Sequence, residues 1–154
     1  MYFSKVILKS SLSQINELEK FIDSIMLNYN IEEQYRGVIS VPLVESVKNA
    51  IIHGNKNDIS KKVTVNMQVK DSKLNFSVED EGAGYDYSYI VKQSMIQNNV
   101  RGLYKIEKLA EDINFEKNGA CISYKIDVPF KMMVPSREKL LKNSKADITI
   151  EQYV

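Results

Sequence analysis

Leu12, Ile15, Leu18, Phe21, Ile22, Ile25 and Met26 recur at three- and four-residue spacing, and that period predicts an amphipathic helix over residues 12–29. Ser11 or Ser13 is placed to cap it. The strand formers before it, YFSKVILK at 2–9, predict a first strand. Asn30 interrupts the helical pattern, which resumes from Ile31 to His53. Pro42 lies inside this second helix and predicts a kink, or a break between two shorter helices. After Gly54 the period falls to two. Val63, Val65, Met67 and Val69 alternate in 62–70, and Leu74, Phe76 and Val78 alternate in 74–80. Joined by a turn at Asp71-Ser72-Lys73, they predict an antiparallel hairpin with one buried face. Residues 86–100 are polar and show no period. Leu103, Ile106 and Leu109 restore helical spacing over 102–110. Segments 112–117 and 120–128 predict a second hairpin around Lys117-Asn118-Gly119.

The order strand, two helices, hairpin, loop, helix, hairpin implies an α+β fold. Its expected form is a two-layer sandwich, with helices on one face of a mixed, mostly antiparallel sheet. With no domain boundary before about residue 130, residues 1–130 are read as one domain and 131–154 as a C-terminal extension. In the extension, Ser136 opens a short helix to about Asn143. ADITIEQYV at 146–154 then alternates like a strand that needs a sheet edge, with a frayed terminus as the competing expectation.

Composition narrows the class. A chain of 154 residues is long enough for a real core, and 44% hydrophobic with 27% charged residues is ordinary for a globular protein. A formal net charge of +1 makes no electrostatic case for nucleic acid or an anionic membrane. Apolar runs stop well short of the ~18 residues that span a bilayer, and the N-terminus lacks the marks of a signal peptide, so a cytoplasmic protein is expected. Cys121 is the only cysteine and His53 the only histidine, which excludes an internal disulfide and a Cys/His zinc set within the chain.

Three polar constellations interrupt these patterns. In ESVKNAIIHG at 45–54, Glu45, Asn49 and His53 are spaced i, i+4, i+8 and share one helical face, while Leu43, Val47, Ala50 and Ile51 supply the apolar stripe. In VEDEGAGYD at 78–86, a buried strand ends at Asp80, with Gly82 and Gly84 following. An Asp over a pocket can accept a hydrogen bond from an exocyclic amine, and glycines let backbone approach a ligand, although acidic β-turns use the same residues. In VRGLYKIEKLAEDI at 100–113, Arg101-Gly102 opens a helix whose unpaired amides and dipole suit phosphate, although a helix start with an exposed Arg reads the same way.

Taken in order, E-x-x-x-N-A-I-I-H-G, D-E-G-A-G-Y, R-G-L and the late Gly119-Ala120 resemble the Bergerat-fold ATPases, which have the histidine-kinase-like ATPase fold. The N-A-I-I-H-G wording and the short length are similar to the bacterial anti-sigma-factor serine/threonine kinases, over roughly residues 3–128. The resemblance implies that ATP with Mg²⁺ is bound. Glu45 would polarise the nucleophile, Asn49 would ligate Mg²⁺, and His53 with Gly54 would lie near the phosphates. Asp80 would bind adenine, Gly82 and Gly84 would shape the nucleotide pocket, and Arg101, Gly102 and Leu103 would face the phosphates. The implied partners are a sigma factor and its STAS-type anti-sigma antagonist, with no nucleic acid or membrane contact and with a homodimer as the holding form. The chain departs from the family at Asn99-Val100, where a glycine is usual, at Gly119-Ala120, where Gly-Thr is usual, and in a lid segment 85–100 without glycine. Three alternatives stay open: a non-catalytic nucleotide-binding regulatory module, a detached histidine-kinase catalytic domain whose acceptor lies on another chain, and an α+β interaction domain without ligand.

Overall fold

The computed structural model of the chain describes residues 3–84 and 101–132. Strand β1 (Phe3–Lys9) is followed by a 3₁₀ turn (Leu12–Gln14) and helix α1 (Ile15–Asn28). Ser11, in extended conformation, accepts a hydrogen bond from the amide of Ser13 and caps this start. The other end of α1 closes on Asn30, whose φ of 47° puts it in the left-handed region. The amide of Asn30 reaches Leu27 O at 3.3 Å and that of Ile31 reaches Met26 O at 2.9 Å, which is the Schellman arrangement. Met26 and Ile31, the two apolar residues this motif brings together, are both buried.

The second helical stretch is built in three parts: a 3₁₀ turn (Glu33–Tyr35), helix α2 (Arg36–Asn49) and a wide π turn (Ala50–Gly54). Helix α2 passes through Pro42 without a break, so the expected split there does not occur. The missing amide costs one hydrogen bond, but the pyrrolidine ring is buried in the core, and Ser46 Oγ donates back to Pro42 O at 2.8 Å. Ile31 and Glu32 lie outside the helix.

The remaining elements are β2 (Lys62–Lys70), β3 (Lys73–Asp80), helix α3 (Arg101–Leu109), β4 (Glu111–Glu116) and β5 (Cys121–Ile126). Asp71 and Ser72, both at positive φ, form the two-residue turn between β2 and β3, the geometry that matches strand twist. Lys117, Asn118 and Gly119, all at positive φ, turn β4 into β5. The sheet order is β1-β2-β3-β5-β4, and all four pairings among the described residues are antiparallel. The chain leaves the end of β3 at Asp80 and returns through α3 to the sheet edge, so that β5 fills the place beside β3.

Alternation sorts the strands into an inner and an outer face. Val63, Val65, Met67, Leu74, Phe76, Val78, Ile122, Tyr124 and Ile126 point inward and are buried. Leu18, Ile22 and Ile25 of α1, Ile39, Leu43 and Val47 of α2, and Leu103 and Ile106 of α3 cover them. This is the α+β two-layer sandwich, with helices on one face of the sheet. The outer face carries Asn66, Gln68, Asn75, Ser77 and Ser123 around a concavity of about 350 Å³. After β5, Lys131 N donates to Tyr29 O at 2.8 Å and Phe130 meets Tyr29 edge-on, so this segment returns to the end of α1. The helix and strand expected in the extension, at 136–143 and 146–154, lie outside the described residues. No helix among the described residues is long and apolar enough to cross a membrane.

The two faces of α3 give a direct test. Ile106 is fully buried, whereas Tyr104 is 54% exposed and stacks only under Lys108 Nζ at 5.2 Å. Ile106→Ala is expected to cost about 2–5 kcal/mol, from lost transfer energy and a cavity. Tyr104→Ala is expected to cost less than about 1 kcal/mol. Denaturant midpoints decide it, and an equal loss for both would contradict this placement of α3.

Candidate functional site

The end of α2 is where the polar constellation at 45–54 sits. Glu45 and Asn49, one turn apart, are presented toward the first turn of α3. A Cβ on Gly102 would lie 2.9 Å from Glu45 Oε2 and 3.9 Å from Asn49 Nδ2, so both side chains reach the first turn of α3. Lys105, one residue short of a turn further along α3, donates to Glu45 Oε1 at 2.7 Å. The Glu45 side chain is 16% exposed and that of Lys105 47%, so the acid is the sheltered partner of this ion pair.

His53 does not continue the regular i+4 series. The helix widens after Asn49, and Asn55 N bonds to Ala50 O, five residues back, at 2.8 Å. A π turn advances by fewer degrees per residue than an α turn, so spacing four no longer returns a side chain to the same face. The imidazole of His53 is exposed. The same turn buries Gly54, and a Cβ there would overlap the Asp80 carboxylate. Gly54 therefore lies against Asp80, at the opposite end of the constellation from Glu45.

Asp80 ends β3 with 6% of its surface exposed. Its Oδ1 accepts from Gly82 N at 2.8 Å, and its own amide donates to Ala120 O at 2.9 Å. A Cβ on Gly82 would overlap the Gly54 carbonyl oxygen. Gly84, at φ 81°, passes so close to the carbonyl of Asn118 that a side chain would collide with it. At Gly54, Gly82 and Gly84, then, the chain passes a carboxylate or a carbonyl too closely for a side chain. Burial raises the Asp80 carboxyl above the usual carboxylate range, opposed by the Gly82 amide bond. Cys121 beside it is also pushed up by burial, so it stays a neutral thiol and brings no second charge.

Arg101 opens α3, Gly102 is its closest point to α2, and Leu103 is buried in the core, anchoring the helix start. Nothing is described of the Arg101 side chain, and the lid segment 85–100 falls outside the described residues. The three constellations therefore line one end of the sandwich: Glu45 and Asn49 against Gly102, and Gly54 against Asp80 and Gly82.

Three contributors escaped sequence reasoning. Asn55, 1% exposed, donates through Nδ2 to Lys62 O at 2.9 Å and accepts Glu81 N at Oδ1 at 2.9 Å. It pins the wide turn to the start of β2 and the end of β3. Its signal was faint, an Asn directly after His-Gly. Asn118 supplies the backbone against Gly84, and only the fold brings residue 118 to residue 84. Lys105 has no sequence signal, since its partner Glu45 is brought to it only by the fold.

The profile of the histidine kinase-like ATPase domain matches residues 8–126, and the chain belongs to that family. Among solved structures, it is similar to the crystal structure of the RsbU and RsbW domains of Rv1364c from Mycobacterium tuberculosis, with a TM-score of 0.59 and 14% sequence identity. The match covers 84% of this chain and 33% of that one, so the chain spans about a third of the length of that relative. At this identity the likeness establishes the fold. No curated protein sequence matches the chain significantly.

The raised Asp80 carboxyl has a consequence for stability. A carboxyl whose folded pKa exceeds its unfolded value contributes most to stability when protonated, and that contribution is lost as pH rises through the folded pKa. Asp80→Asn keeps the acceptor for Gly82 N and carries no charge. It is expected to raise the melting temperature of the ligand-free protein at pH 7, with the gain shrinking as pH falls through the folded pKa of Asp80. Thermal melts across pH 4–7 read this, and a pH-independent difference would contradict it.

Proposed function

We propose that the chain is an ATP-binding switch protein that acts as a serine/threonine protein kinase. It transfers the γ-phosphoryl group of Mg·ATP to a small STAS-type antagonist and holds a sigma factor, as a homodimer, in the cytoplasm. The observation that carries this reading is the convergence of three segments distant in sequence: Gly102 against Glu45 and Asn49, and Gly54 and Gly82 against Asp80. Family membership supports nucleotide binding. The sigma-factor partner rests on the resemblance of the N-A-I-I-H-G segment and on the likeness to a chain that contains an RsbW domain.

The residues fit the nucleotide. Asp80 Oδ1 is taken by Gly82 N, which leaves the rest of the carboxylate to accept from the exocyclic amine of adenine. Gly54 and Gly82 let backbone close around the Asp80 carboxylate without a side chain, and so shape the wall beside which the base would lie. The backbone amides of Arg101, Gly102 and Leu103 at the start of α3 would face the phosphates, while the Leu103 side chain stays in the core. Among the described residues no cluster of His, Cys, Asp and Glu forms a metal site by itself. The Asn49 amide oxygen would supply the protein's ligand to Mg²⁺, a hard cation that neutralises phosphate charge when bound. His53 stands at the rim, where it meets the nucleotide from the solvent side. Glu45 polarises the attacking hydroxyl and takes its proton, and the hydroxyl oxygen forms the new bond to phosphorus as the bond to ADP breaks.

Nucleotide binding comes first. ATP or ADP with Mg²⁺ is expected to stabilise the protein by about 2.7 kcal/mol at 100 times Kd. A thermal melt without any shift at millimolar ATP would remove the nucleotide reading. Asp80→Asn, although expected to stabilise the free protein, should weaken adenine nucleotides by about 1–3 kcal/mol through the lost charged acceptor.

Catalysis is tested separately. Glu45→Ala is expected to keep ATP affinity within a few-fold and to lower phosphoryl transfer to the cognate antagonist by ~10²–10⁴-fold. Asn49→Ala should instead weaken Mg²⁺-dependent binding. Equal transfer by wild type and Glu45→Ala would refute the role of Glu45. Partner binding without transfer in either would favour the non-catalytic regulatory module, a reading that the glycine-free segment 85–100 supports.

A further inference from the structure

The ion pair between Lys105 and Glu45 supports an inference of its own, which rests on the nucleotide reading above. Glu45 is a sheltered carboxylate with Oε1 bonded to Lys105 Nζ at 2.7 Å and Oε2 against Gly102. Long side chains on a helix lean back toward its N-terminus, so Lys105 reaches over the turn that contains Arg101 and Gly102. That end of α3 carries the positive dipole and is where the phosphates are placed. A bare carboxylate at this point would repel a polyanion, and its sheltered position reduces screening by solvent.

We propose that Lys105 is a positioning residue for the phosphate end of the site: its ammonium neutralises Glu45, so that an acid required to take a proton stands beside a nucleoside triphosphate without repelling it. Among the described residues Glu45 is the one partner of Lys105. An ammonium has three donors, so the bond to Glu45 leaves it able to face phosphate oxygens as well. Half of its surface is exposed, which lets it adjust to a ligand, whereas the Glu45 carboxylate is sheltered.

The test is the affinity for Mg·ATP and Mg·ADP, by calorimetry, of wild type, K105M, K105R, E45Q and the double variant K105M/E45Q. Melting temperatures establish that each is folded. K105M is expected to bind ATP about tenfold more weakly and ADP less affected, and E45Q added to K105M is expected to restore ATP binding to within about threefold of wild type. K105R, which keeps the cation, should bind like wild type. Unchanged ATP affinity in K105M overturns the inference. So does a double variant as weak as K105M, which would mean that Lys105 only fastens α3 to α2 or contacts phosphate without regard to Glu45. A wild type that binds neither nucleotide overturns the nucleotide reading itself and this inference with it, whereas the two preceding results leave that reading standing.

Discussion

The end of this fold is organised by the burial of one carboxylate. Asp80 closes a central strand and is almost wholly covered, yet among the described residues no lysine or arginine bonds to it. Its place is made by subtraction. Gly54 on one side and Gly82 on the other omit the atoms that would overlap the carboxylate and the Gly54 carbonyl. Because Gly54 must reach this spot, α2 ends in a wide turn rather than a regular one, and Asn55 must tie that turn to both neighbouring strands. The desolvation that results pushes the carboxyl upward, which is tolerable in a structure whose core is otherwise apolar and closely covered by helices.

At the opposite end of the same constellation the logic is reversed. Glu45 is sheltered too, but it has a cation, and its second oxygen faces a glycine on another helix. Two acids of one site are thus held by different means, one by backbone amide and shape, the other by an ion pair. In the proposed function these unlike surroundings serve unlike tasks, recognition at Asp80 and proton acceptance at Glu45. The distance between these tasks is set by α2, a rigid element buried along one side through Ile39, Leu43 and Val47. Packing energy spent on the core therefore also fixes the spacing of the site.

The same interface explains why α3 matters although it is only nine residues long. Leu103 and Ile106 seat it in the core, and that seating brings Gly102 against α2. A helix this short is marginal on its own, so its order depends on tertiary contact. Site formation and core packing are then one event.

The sequence alone determined the elements, because periods of two and of 3.6 are properties of neighbouring residues. The strands at 62–70 and 74–80, helix α1, and helix α3 lie where alternation and three-four spacing put them, within one to three residues at each end. It also determined the order of the three constellations, and so the family. Asn30 and the pair Asp71-Ser72 mark turns by their own backbone preference for positive φ. The tertiary structure decided what depends on partners from elsewhere in the chain. Pro42 stays inside α2 because burial and a bond from Ser46 hold it, which a local rule does not see. The i+4 series ends before His53 because Gly54 must meet Asp80, 26 positions away. Lys105 acquires its meaning only from Glu45, 60 positions away, since a charge on a helix surface is ordinary until the fold supplies the opposite charge.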